Sequence, residues 1–155
     1  MKRKLGFTAA MVVALAMMGY AQQKPDFSGT WTLDQEKSEM GQGGGGRMMM
    51  GGGSMTIKQT ADALTVERQG RGGNTMSTEY KLDGTESDVP MGRGGTAKAK
   101  AHWDGSTLVI ETTGEGPNGP MTQKSSYSLA ADGTLVVEST GRNGNTRKLV
   151  YKKAS

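Results

Sequence analysis

The residues of this chain that could do chemistry are arginines, tyrosines and methionines, and their placement is uneven. Arg47, Arg71, Arg93 and Arg142 fall inside Gly-rich stretches, and Arg68 and Arg147 flank two of those stretches. A guanidinium presents a planar fork of donors that fits carboxylate and phosphate oxygens. Tyr80, Trp103, Tyr127 and Tyr151 instead sit in alternating apolar–polar runs, where they become candidate wall residues of a cavity. Together these types suit the holding of an amphipathic molecule, with Arg68 and Arg147 as contacts for an anionic head. Arg47, Arg71, Arg93 and Arg142 would form a cationic rim. The alternative is that Arg-Gly pairs are only a habit of soluble loops.

Other chemistry finds little footing. There is no cysteine, which excludes thiol catalysis, disulfides and a Cys lipid anchor. His102 is the only histidine and shares outward parity with Lys98 and Lys100, so zinc chemistry lacks its ligands. No Ser/His/Asp arrangement, phosphate loop or dinucleotide fingerprint is present, and Asp83 and Asp104 are accounted for by turns. No catalytic residue, metal or cofactor is expected. Thioethers select Cu(I), and Met40, Met48, Met49, Met50 and Met55 offer that alternative. The consecutive run lacks the spacing of a preformed site and reads better as a low-complexity loop covering an opening.

The elements that must position these residues begin after a leader. Lys2, Arg3 and Lys4 precede an apolar run from Leu5 to Met18, and Gly19-Tyr20-Ala21 offers small residues at a cleavage site. The run is shorter than the roughly 20 residues needed to span a bilayer. Residues 1–21 are therefore predicted to be a signal peptide, and 22–155 one exported domain, periplasmic or extracellular, with no transmembrane segment. The formal charge of +4 falls to +1 without those three cations. Nucleic-acid binding loses its electrostatic support accordingly.

Beyond the leader, period-two alternation recurs. Phe27 to Leu33 opens the series, and Asp34 to Met40 is predicted to form one helical turn. Residues 41–53 are a Gly/Met-rich loop. Inward positions are then Met55, Ile57 and Gln59; Leu64, Val66 and Arg68; and Met76, Thr78 and Tyr80. Ala97, Ala99, Ala101 and Trp103 follow, with Leu108, Ile110 and Thr112, Ser125 and Tyr127, Leu135, Val137 and Ser139, and Arg147, Leu149 and Tyr151. Asp83-Gly84 and Asp104-Gly105 are hairpin signals, and Ala131-Asp132-Gly133 is a close relative. Roughly ten strands result. In an up-and-down meander successive connections alternate between two ends. The tight turns then gather at one end, and the looser Gly-rich connections, with their arginines, at the other.

Phe27-Ser28-Gly29-Thr30-Trp31 resembles the Gly-x-Trp opening of the calycins, the lipocalins and fatty-acid-binding proteins. Trp103-Asp104-Gly105 and the ending Leu149-Val150-Tyr151-Lys152-Lys153 look most like the fatty-acid-binding branch, and the whole chain resembles small exported bacterial lipocalin-like proteins. The resemblance implies an all-β, up-and-down antiparallel barrel that holds a small apolar or amphipathic ligand. It also implies a structural role for Trp31, with Lys152 or Lys153 covering it. Two departures stand out. Residues 41–53 replace the helix pair that caps such barrels, and Leu149 stands where that family carries a carboxylate-binding Arg before Tyr151. The inward set mixes apolar and polar groups. It leaves open a hollow ligand-binding barrel or a filled scaffold whose loops meet a protein, polymer or anionic surface.

Overall fold

The computed structural model describes residues 23–39, 53–70, 73–91, 95–116, 118–141 and 144–155. The expected leader, most of the 41–53 loop and the rim candidates Arg47, Arg71, Arg93 and Arg142 lie outside the described residues. Ten strands form: β1 (Gly29–Glu39), β2 (Ser54–Gln59), β3 (Ala63–Gln69), β4 (Thr75–Lys81), β5 (Glu86–Met91), β6 (Gly95–Asp104), β7 (Thr107–Gly116), β8 (Gly119–Leu129), β9 (Leu135–Thr140) and β10 (Thr146–Lys153).

All pairings are antiparallel, in the order β4-β3-β2-β1-β10-β9-β8-β7-β6-β5. β1 meets β10, so the meander curls into a nearly closed barrel. Only β4 and β5 lack a hydrogen-bonded ladder between them. At one end of this seam the Lys81 N–H donates to the buried Ser87 hydroxyl at 2.8 Å, so a side chain stands in for a ladder bond.

The alternation selects the inner face. Ile57, Leu64, Val66, Ala97, Ala99, Ala101, Leu108, Ile110, Leu135, Val137 and Leu149 are buried together with Tyr127 and Tyr151. Outward lysines instead pair across neighbouring strands, as in Lys98–Asp88 at 2.5 Å, Lys100–Glu86 at 3.6 Å and Lys124–Glu111 at 3.8 Å. Such exposed pairs contribute little stability.

Two expectations need correction. Asp34 to Glu39 is not a helical turn but a continuation of β1 through an irregularity. β1 advances from Asp34 to Glu39 while β10 advances only from Val150 to Lys148. The surplus is taken up by Asp34, whose Oδ1 accepts from the Glu36 and Lys37 N–H groups, and by Ser38, whose Oγ accepts from the Val150 N–H. Nor are the Gly-rich connections uniformly loose. Gly116 pairs with Gly119, and Met91 with Gly95, so the paired strands run right up to two of them. Gly73, Gly119 and Gly144 have φ of 83°, 101° and 71°. Glycine serves there as the residue that tolerates positive φ in a tight turn.

The closed end is plugged from within. Phe27 is fully buried just ahead of β1 and stacks on Trp103 at 5.8 Å, with Tyr127 tilted against it at 6.3 Å. Gln59 fixes this segment by accepting from the Phe27 N–H at 2.9 Å and donating to the Pro25 carbonyl at 3.0 Å. The buried Trp31 indole N–H donates to the Phe27 carbonyl at 2.8 Å, and Lys153 Nζ covers the Trp31 ring at 5.7 Å.

Candidate functional site

The inner face changes character along the barrel. Toward the closed end it is dry: Ile57, Leu64, Leu108, Ile110 and Leu135 are all fully buried. Toward the open end the same face carries Thr78, Thr112, Ser125 and Ser139, each partly solvent-accessible, and Gln123, which is exposed. The Ser125 and Ser139 hydroxyls lie 3.2 Å apart. The described inner face is therefore filled toward the closed end and water-accessible toward the other, where it forms the wall of a shallow cup.

Arg68 marks the boundary. β3 carries it two residues beyond the buried Val66, on the same face, in register with Met55 of β2 and Met76 of β4. Closure of the barrel brings Tyr80 of β4, Tyr127 of β8 and Tyr151 of β10 around it. Burial works against the guanidinium charge. The phenol groups of Tyr127, Tyr151 and Tyr80 outweigh it, so the pKa of Arg68 lies above its ordinary value. Burial raises the Tyr80 phenol, an effect that Tyr127 adds to and Arg68 opposes. Tyr151 is also raised by burial, against the pull of Arg68. The site thus holds a cation beside the neutral phenols of Tyr80 and Tyr151 across the physiological range.

What this cation lacks is a counterion. Every Asp and Glu of the sequence lies among the described residues, and the ion pairs they form are all with lysines. An Arg68 terminal nitrogen, Nη2, reaches only the weakly accepting Met55 thioether, 3.9 Å from Sδ. The Arg68 Nε–H is buried and has no hydrogen-bond partner. A buried donor left unmade is costly, more so on a charged group. An anion reaching the cup floor would satisfy it.

Of the sequence-predicted site residues, Arg68, Tyr80, Tyr127 and Tyr151 converge. Two do not. Trp103 stacks under Phe27 at the closed end, where it lines a surface recess of about 290 Å³ with Lys24, Asp26, Gln59, Thr60, Ala61 and Leu82. Parity gave its face but not its height along the barrel. Arg147 keeps the inward parity, paired with Ser139, yet is exposed near the open-end start of β10. For Cu(I), Met55 is the described member of the proposed set, and the adjoining guanidinium disfavours a second cation there. No group of His, Cys, Asp and Glu among the described residues could hold a metal ion. No helix among them is long and apolar enough to cross a membrane.

No protein-family model matches the chain, and no curated protein matches it significantly in sequence. Solved structures do match in shape. The zebrafish ileal bile acid-binding protein complexed with cholic acid aligns with a TM-score of 0.60 and 18% identity, over 83% of this chain and 98% of that one. A REP1-NXSQ fatty acid transporter aligns with a TM-score of 0.62 and 18% identity, over 83% and 96%. With its ten antiparallel strands, β1–β10 closure and β4–β5 seam, the chain has the calycin-type fold of the fatty-acid- and bile-acid-binding barrels.

Proposed function

We propose that this chain is an exported, non-catalytic barrel that binds an amphipathic molecule with an anionic head. The head lies on the cup floor at Arg68 with Tyr80, Tyr127 and Tyr151, and the apolar part extends toward the open end. One observation carries this reading: a largely buried guanidinium with a free N–H and no carboxylate of its own chain within ion-pair distance. Cholic acid and fatty acids, named for two structural neighbours, are both carboxylic amphipaths and agree with it. Arg147, with Arg47, Arg71, Arg93 and Arg142 in the open-end connections, would draw anions toward the entrance. Those connections contain no Asp or Glu, so nothing in them offsets the arginines.

Export rests on the leader. Expression of the full chain in a bacterial host should yield a periplasmic or secreted product beginning at Gln22, read by N-terminal sequencing. Binding is tested by native mass spectrometry of that product with oleic acid and oleyl alcohol. A one-to-one oleate adduct, much stronger than that of the alcohol, is expected. Equal binding of both would remove the charge-recognition argument, and binding of neither would remove the carrier reading.

A further inference from the structure

Methionine is segregated in this fold. The filled half of the barrel is built from branched aliphatic and aromatic side chains. On β2, β4, β5 and β8, the inward side chain nearest the open end is a methionine: Met55, Met76, Met91 and Met121. Among the described residues no methionine lies in the closed half. Met76 is 47% exposed, and Met91 and Met121 are partly accessible, whereas Met55 is 3% exposed.

The backbone accommodates two of these side chains. The inner face of β7 carries Gly114 and Gly116 where other strands carry bulk. A Cβ at Gly114 would collide with the Met91 Sδ, and one at Gly116 with the Met121 Sδ. The thioethers therefore lie on bare backbone along the cup wall. Met76 and Met91 flank the unladdered β4–β5 seam at its open end. Among the described residues at the inner rim these three, with Leu33, supply the apolar surface, since Ser139, Arg147 and the glycines supply none.

Accessible thioethers are the groups in such a wall that react with hydroperoxides. The sulfur lone pair attacks a peroxide oxygen, the O–O bond breaks, sulfur is oxidised to the sulfoxide, and the peroxide is reduced to water or an alcohol. The product is a polar, chiral group in place of a flexible apolar one. We infer that Met76, Met91 and Met121 form a peroxide-modification site at the cup mouth, and that their oxidation weakens retention of an amphipathic ligand. The second clause rests on the ligand reading above; the first does not.

The test uses the purified chain, hydrogen peroxide in a graded series and peptide mass spectrometry. Met76 should oxidise first, Met91 and Met121 next, and Met55 last. Over the same series, affinity for a fluorescent fatty acid should fall roughly three- to tenfold. The Met76→Leu/Met91→Leu/Met121→Leu variant, which keeps volume, should resist peroxide, and its affinity for the probe, whatever its starting value, should stay constant over the series. Met76→Leu alone serves if the triple variant folds poorly, and should blunt the earliest loss. Oxidation of Met55 as fast as the other three would overturn the site. Full oxidation of the three with unchanged affinity would overturn its effect. A reduced protein that never binds the probe would defeat the ligand reading and this effect with it, and the oxidation order would still decide the site.

Discussion

Arg68 on β3 and Tyr127 on β8 face each other across the barrel interior, although four strands lie between them in the sheet order. Neither residue is a neighbour of the other in any ladder, so only closure of the sheet through β1 and β10 creates the contact. A guanidinium placed there loses hydration and gains phenol oxygens, but no carboxylate. The apo site is accordingly imperfectly satisfied, and its stability and its affinity should respond to mutation in opposite directions.

Replacing the charge separates those two quantities. Arg68→Met keeps an extended apolar stem and removes the unpaired cation. Oleate affinity should drop by roughly tenfold or more, oleyl alcohol affinity should change little, and folding stability should hold or rise, since losing a poorly compensated buried charge is rarely destabilising. Titration with both ligands and urea unfolding of the apo protein would check this. A large loss of stability with equal loss of both ligands would mean that Arg68 is a structural strut.

The phenols make a prediction in alkali. The Tyr80 pKa is raised above its ordinary 10.0 chiefly by burial, and that of Tyr151 in the same direction. A raised folded value means that the contribution is intact below pH 10.0, the unfolded value. It is lost as pH climbs toward the folded value, because the unfolded chain releases the proton first. Phenolate absorbance should show Tyr80 silent at pH 10 while stability begins to fall. Tyr80→Phe should flatten that decline.

Much of this arrangement is legible in the sequence because strand alternation is simple. Parity at Arg68, Tyr80, Tyr127 and Tyr151 assigns each an inward side chain, and the meander assigns Arg68 to the open-end side. Height is another matter. Trp103 has the same parity as Ala101, but its position on the closed-end side places it under Phe27. Phe27 reads as the start of a strand because an aromatic there looks like any strand residue. Its role as a plug depends on Gln59, 32 residues away. The polar run after Leu33 suggests a helical turn, since period-two patterning cannot register an irregularity that folds surplus residues into Asp34 and Ser38 hydrogen bonds.

Asp34 itself should respond to acid. Its pKa is lowered from 3.8, first by Lys152, whose Nζ ion-pairs with Oδ2 at 2.8 Å, against desolvation, with help from the Lys37 and Glu36 amides. Lys152 is raised from 10.5 by the same partner. A lowered carboxylate contributes above its unfolded value and loses that contribution as pH falls through the folded one. The stability difference between the wild type and Asp34→Asn should therefore be level between about pH 4 and pH 10 and close below 3.8. A difference that persists at pH 2 would assign the effect to the irregularity's geometry instead.

The β4–β5 seam has one hydroxyl to test. Ser87→Ala leaves the Lys81 N–H without its 2.8 Å acceptor at the barrel's only unladdered junction among the described residues. The expected cost is about 1–3 kcal/mol. Hydrogen exchange should quicken at Lys81 and along β4 while β7 and β8 stay protected. Uniform acceleration across all strands would show that the seam opens only with global unfolding.

The closed end offers the largest expected change. Phe27 is fully buried, stacks on Trp103, touches Tyr127, and through its carbonyl holds the Trp31 indole. Truncation to alanine removes the ring from a packed site whose neighbours belong to β1, β6 and β8 and cannot collapse together. A loss of about 3–5 kcal/mol follows from burial and cavity costs for such a residue. Trp103 emission should shift to longer wavelength as water reaches the face that Phe27 covers. Oleate affinity should fall far less than stability, because the cup floor at Arg68 lies above the plug and keeps its three phenols. If instead affinity collapses while stability holds, the ligand lies at the closed end against Trp103, and the anion site must be sought near Lys24.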